Sequence, residues 1–127
     1  MVAGTHGSTF GGNPLAVAAG NAVLDVMLAP GFFARVDAMA KLLRGGLEAL
    51  TRSYPTLFAE VRGDGLLLGI RCIVPAADFV AKLRQNGLLC LTAGENVLRI
   101  LPPLIVGERE IDEALGVMHK VAEEWPA

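Results

Sequence analysis

Apolar residues fill nearly every position from Leu15 to Leu28 and then settle into a three-and-four spacing from Phe33 to Tyr54. Beyond Tyr54 they shorten into brief runs punctuated by Gly, Pro and Asn. The first segment predicts a helix opened by Asn13-Pro14. Asn is a favoured N-cap, and Pro fits the first helical position because its missing N–H would be unpaired there. Asp25 is the only charge in that segment. A helix apolar all round is expected to be buried on more than one side, with part of its cover supplied by another domain or subunit. Pro30-Gly31 breaks it. The second helix places Val36, Met39, Leu43, Leu47 and Leu50 on one face and Arg35, Asp37, Lys41, Arg44 and Glu48 on the other. Tyr54-Pro55 ends it.

The period then changes. "LFAEVRG" (57–63) reads as a strand, "GDG" as a turn and "LLLGIRCIV" (66–74) as a buried strand. A short helix follows Pro75 through Phe79, Val80 and Leu83 and stops at Asn86-Gly87. "LLCLTA" (88–93) and "VLRILPP" (97–103) read as two more strands separated by "GEN". The last helix begins near Glu108, where acids favour the positive helix end, and carries the stripe Ile111, Leu115, Met118 and Ala122. These elements predict an α+β fold with helices packed on one face of a small, mainly antiparallel sheet.

Composition narrows the picture. A chain of 127 residues is long enough for a core of its own. With 53% hydrophobic but only 6% aromatic residues, that core is built of Ala, Val and Leu. A net charge of −2 with interspersed signs argues against nucleic acid as a partner, because backbone phosphates require a concentrated basic surface. Cys72 and Cys90 lie in apolar runs without metal-ligand companions and read as two reduced core thiols. The first residues lack a basic region followed by an apolar block, so no secretory signal is expected. The apolar stretch 14–34 contains Asp25, at an insertion cost of roughly 2.5–3.5 kcal/mol, so it reads as a buried helix of a soluble protein and not a membrane span.

Candidate chemistry concentrates at the start, in "GTHGSTFGGNP" (4–14). Glycines bring backbone amides close to a ligand, Ser8 and Thr9 add hydroxyls, and a helix amino terminus favours an anion. Spacing alone leaves two readings open, an anion-holding loop and a glycine-rich cap with no ligand. No Gly-Lys-Ser/Thr follows, so it is not a Walker loop. Nor does Ser8 sit in a Gly-x-Ser-x-Gly elbow. His6 and Ser8 invite a nucleophile–base reading, but no acid lies nearby. A histidine that orients the loop or stacks on a partner is the reading kept. His119 and the acids of "EREIDE" (108–113) read as solvated surface, and no metal site is expected. Arg99, the one charge in "NVLRILPPLIV", belongs either at a sheet edge or opposite an anion, and Arg71 in "GIRC" shares that ambiguity.

Taken in order, "GTHGSTFGGNPLA", "VRGDGLLLGI" and "GLLCLTAGENVLRILPPLIV" resemble the carboxy-terminal part of class III pyridoxal-phosphate aminotransferases, the acetylornithine type above all. The resemblance covers essentially the whole chain. It implies residues 1–28 as entry loop and interdomain helix, and 29–127 as the small carboxy-terminal domain of a fold-type I homodimer. It implies an amino group moved from N-acetylornithine, or a related ω-amine, to 2-oxoglutarate through pyridoxal 5′-phosphate, in cytoplasmic amino-acid (arginine) biosynthesis. Thr9 would then bond the cofactor phosphate of the neighbouring subunit, with Ser8 beside cofactor and substrate. Arg99 would face the active site, pairing with an acid or a substrate carboxylate. The family's Schiff-base lysine lies upstream of "GTHGST", and Lys41, Lys82 and Lys120 match no such motif. No catalytic residue is therefore assigned here, and the chain alone is expected to be inactive. The alternatives are a stand-alone anion- or protein-binding module of the same descent and a hydrolase using Ser8 and His6.

Overall fold

The computed structural model describes residues 7–126. The chain divides into two compact units, Met1–Ala34 and Arg35–Ala127. In the first, α1 runs Pro14–Met27. The Asn13 side chain caps it by accepting the Ala16 N–H at 3.0 Å and donating to the Phe10 carbonyl at 2.7 Å. The first of these bonds occupies a donor that a helix start otherwise leaves unpaired. Contrary to the expectation of a buried helix, no residue of α1 is buried. Val23 and Val26 remain 56% and 57% exposed. Apolar character drives burial only where a second apolar surface is present to receive it.

The second helix, α2, spans Phe32–Ser53, and all but its first turn belongs to the second unit. There follow β1 (Phe58–Asp64), β2 (Leu67–Cys72), α3 (Ala76–Gln85), β3 (Leu91–Ala93), β4 (Val97–Ile100) and α4 (Glu108–Glu123). The four strands form one antiparallel sheet in the order β1-β2-β4-β3. The α+β expectation is borne out.

Strand parity locates the core. Leu68 and Ile70 of β2 lie opposite Ile100 and Leu98 of β4, and all four are buried. They join Leu47 and Leu50 of α2, Phe79 and Leu83 of α3, and Ile111 and Met118 of α4, each no more than 2% exposed. Side chains of alternate residues point to opposite faces, so this set forms one face of the sheet, and Gly69, Val97 and Arg99 fall on the other. Phe79 stacks edge-on against Phe58 at 5.1 Å and lies 5.2 Å from the Trp125 ring.

Two expected strands are shorter than the apolar runs that suggested them. Residues 88–90 are not strand, because Leu88 is used to close α3. Its N–H donates to the Leu83 carbonyl at 2.9 Å while Gly87, at φ 87°, donates to Arg84. That pair of bonds is the Schellman ending of a helix. At the other end β4 stops at Ile100, since Pro102 and Pro103 have no N–H to give a ladder. Cys72 is buried as expected, whereas Cys90 is only half-buried, and both are free thiols.

Candidate functional site

Ser8 and Thr9 belong to one compact unit and Arg99 to the other, and each setting is described by itself. Ser8 opens a tight turn in which the Gly11 N–H donates to its carbonyl at 3.3 Å. A side chain at 11 would bring its Cβ to 3.1 Å from the Ser8 Oγ, so glycine is what lets the chain fold back this closely. Both hydroxyl residues are exposed, and neither hydroxyl bonds another described residue. The first turn of α1 carries no acid. Two exposed hydroxyls in the glycine-rich turn ahead of α1 can hold the oxygens of an anion, and they include no general base. His6, the base of the hydrolase reading, lies outside the described residues.

The outer face of the sheet is built in rows. Glu60 of β1 lies opposite Arg71 of β2, Arg62 lies opposite Gly69, and Gly69 lies opposite Arg99 of β4. Leu91 of β3 flanks Arg99 on the other side. Arg99 is therefore on an inner strand, which corrects the sheet-edge alternative. A run of apolar residues around one arginine does not encode which strands will pair with it.

The other arginines of this face are already paired. Arg62 bonds Glu60 at 2.7 Å and Glu95 at 2.6 Å, and Arg71 bonds Glu60 at 3.1 Å. Arg62 first, then Arg71, holds the Glu60 carboxyl below the usual carboxylate range, while Glu95 and Glu60 raise the Arg62 guanidinium. Arg99 makes no hydrogen bond or ion pair with any described residue. Among these arginines it is the one without a partner among the described residues. The Glu60–Arg62–Arg71–Glu95 cluster resolves the ambiguity over Arg71, which is a structural pair. Sequence reasoning missed that cluster, although charges at alternate positions of one strand were a usable signal for it.

Asn96 was missed as well. At φ 61° its side chain donates to the Cys72 and Val74 carbonyls, each at 2.8 Å, and accepts the Ala76 N–H at 2.8 Å. It thus ties the β3–β4 turn to the start of α3.

The lysines are placed away from any such chemistry. Lys82 lies 5.6 Å over the Trp125 ring, Lys120 donates to Asn86 at 3.0 Å, and Lys41 is exposed on α2. Glu110, within the acidic run, accepts from the Gly107 N–H at 3.1 Å and Arg109 at 2.8 Å, which caps α4. Among the described residues no group of three or more His, Cys, Asp or Glu could hold a metal, and no single helix is long and apolar enough to cross a membrane. A cavity of about 540 Å³ between α2, α4 and the 100–106 segment is lined mainly by apolar groups such as Leu43, Leu88, Ile105 and Leu115, with Glu110 beside them, and not by Ser8, Thr9 or Arg99.

Known proteins give a consistent picture. The family described as "Aminotransferase class-III" matches residues 1–122. Acetylornithine aminotransferase 1 of Bradyrhizobium diazoefficiens is 54% identical over 120 residues, which is 94% of this chain and 30% of that enzyme. The acetylornithine aminotransferase of Agrobacterium fabrum is 48% identical over 127 residues, 100% of this chain and 32% of that enzyme. In three dimensions the acetylornithine aminotransferase of Elizabethkingia anophelis matches with a TM-score of 0.84 at 34% identity, over 98% of this chain and 32% of that one. The lysine aminotransferase of Mycobacterium tuberculosis gives 0.82 at 31% identity, over 94% and 28%. This chain spans about a third of the length of the relatives it matches.

Proposed function

This chain belongs to the class-III aminotransferases, and from that premise we propose that it is the carboxy-terminal portion of an acetylornithine aminotransferase. On this reading residues 1–28 are the entry loop and interdomain helix, and 29–127 the small domain. The complete protein is a cytoplasmic homodimer of arginine synthesis that moves an amino group from N-acetylornithine to 2-oxoglutarate. The observation that carries the reading is a match along nearly all of this chain to about a third of several acetylornithine aminotransferases.

Pyridoxal phosphate is the cofactor the reading requires, and the residues present fit one end of it. Ser8 and Thr9 offer exposed hydroxyls in the turn that leads into α1, which suits the oxygens of a phosphate. No lysine here suits the aldehyde end: two are engaged elsewhere and Lys41 is on a solvated helix face. When bound, the cofactor supplies the electron sink that transamination needs. The Thr9 hydroxyl would donate to the phosphate of the neighbouring subunit's cofactor, and Ser8 would lie beside it and near the substrate. Arg99 pairs with a substrate carboxylate, and its lack of any partner among the described residues supports this role. By itself the chain is inactive, because the amine that carries the chemistry belongs elsewhere in the polypeptide.

The test is the size of the native polypeptide in extract, detected with an antibody against the 108–124 helix. A species about three times this length is expected. In that full-length dimer Thr9→Ala is expected to release cofactor on gel filtration while the circular dichroism spectrum stays unchanged. A native species of this chain's own size would overturn the reading in favour of a stand-alone binding module.

A further inference from the structure

Gly69 lies directly opposite Arg99 in the β2–β4 ladder, on the face that also carries Val97. A Cβ built on Gly69 would lie 2.6 Å from the Val97 Cγ1, far inside contact distance, with the Leu98 carbonyl at 3.6 Å and nothing else near. The Val97 methyl therefore occupies the volume that any other residue at 69 would fill. Val97 and Arg99 are two apart on the same strand, so they share this face. Opposite Arg99 on β2 stand the Gly69 backbone and the Val97 methyl seated over it, and one strand further Arg62, whose guanidinium is held by Glu60 and Glu95.

We infer that Gly69 is a positioning residue for Arg99. The bare backbone at 69 lets Val97 seat its methyl over β2, and this leaves the exposed Arg99 guanidinium free of it for a carboxylate to approach. A methyl at 69 drives the Val97 side chain from its seat, and Arg99 is the next residue on the same face of that strand. The displaced Val97 disturbs a bidentate Arg–carboxylate pair, whose strength depends on fork-to-fork alignment. This inference rests on the reading of Arg99 as a carboxylate partner, taken as that of the keto acid, and it adds the residue that sets its geometry. The keto acid's carboxylate sits on the reacting carbon, whereas an ω-amine's is several bonds from its amine. Gly69 acts through Arg99 and touches no reacting atom.

The experiment uses the full-length enzyme, with KM measured separately for the amine and for the keto acid. Gly69→Ala is expected to raise KM for the keto acid about tenfold while kcat stays within about twofold. Adding Val97→Ala, which removes the methyl that a side chain at 69 would strike, is expected to restore KM to within about threefold of wild type. A rise shared equally by the amine's KM and accompanied by a fall in kcat, or no recovery in the double variant, overturns the inference, because a general packing defect behaves that way. Arg99→Ala separates the two layers. If it leaves KM for the keto acid unchanged, the carboxylate reading of Arg99 fails. If it raises that KM and Gly69→Ala does not, the Gly69 inference alone fails. Should Gly69→Ala not fold, the double variant carries the test, and a tenfold higher KM in it is the overturning result.

Discussion

The N–H of Ala76, at the start of α3, donates at 2.8 Å to the side-chain oxygen of Asn96, twenty residues further along the chain. One asparagine thus caps a helix from outside that helix and holds two carbonyls of the β2–α3 connection. Pro75, at the N-cap position, contributes no side-chain hydrogen bond, so the cap has to come from elsewhere. Asn96→Ala removes three bonds worth about 1 kcal/mol each and places alanine at φ 61°, which costs about another 1 kcal/mol. A loss of about 2–4 kcal/mol is expected in urea unfolding. Asn96→Gly, free of the backbone strain, should lose about 1 kcal/mol less.

Gly63 offers a second backbone test. Its φ is 109°, and a Cβ there would run into the Leu67 carbonyl oxygen of the paired strand. Its own carbonyl accepts from Arg44 on α2. Gly63→Ala is expected to destabilise by roughly 2–3 kcal/mol in the same measurement. An exposed glycine with ordinary surroundings, Gly45, should tolerate alanine with a small gain from helix propensity.

Burial pushes the Cys90 thiol up to about 11 from 9.0. The folded state keeps it protonated where the unfolded chain already ionises, so its stabilising contribution is complete below about pH 9 and is lost as pH rises toward about 11. The stability of wild type relative to Cys90→Ala is expected to fall across that window and stay level below it. At pH 8, Cys90 should react with iodoacetamide far more slowly than a free thiol, because the thiolate is the nucleophile.

The apolar side chains left open on α1 predict association. The isolated chain is expected to sediment as more than a monomer and to enhance the fluorescence of an apolar dye. Val23→Glu with Val26→Glu should abolish both, leaving the unfolding of residues 35–127 unchanged. A wild-type chain that sediments as a dye-negative monomer would refute this.

Much of the fold was legible because its signals are local. Asn13-Pro14 and Asn86-Gly87 mark helix ends through bonds made within a few residues, and the spacing of Val36, Met39, Leu43, Leu47 and Leu50 marks a buried face. What escaped was set by distant partners. The strand order β1-β2-β4-β3 put Arg99 on an inner strand, and no local pattern encodes that. Asn96 looked like an ordinary turn residue, since its bonds reach back to Cys72, Val74 and Ala76. The apolar run at 88–90 suggested strand because periodicity does not show that Leu88 is committed to closing a helix.

The alternation that buries Leu98 and Ile100 while leaving Arg99 outside bears on how this segment can change over evolutionary time. Adding or deleting one residue within β4 would turn Arg99 toward Phe79 and Met118 and expose two branched aliphatics in its place. Length changes inside the strand are therefore survivable only in pairs, and the turn before it is held by Asn96, whereas connections free of such ties can absorb them. Descendants of this sequence should vary in length at their loops and hold the interval from Val97 to Ile100 constant.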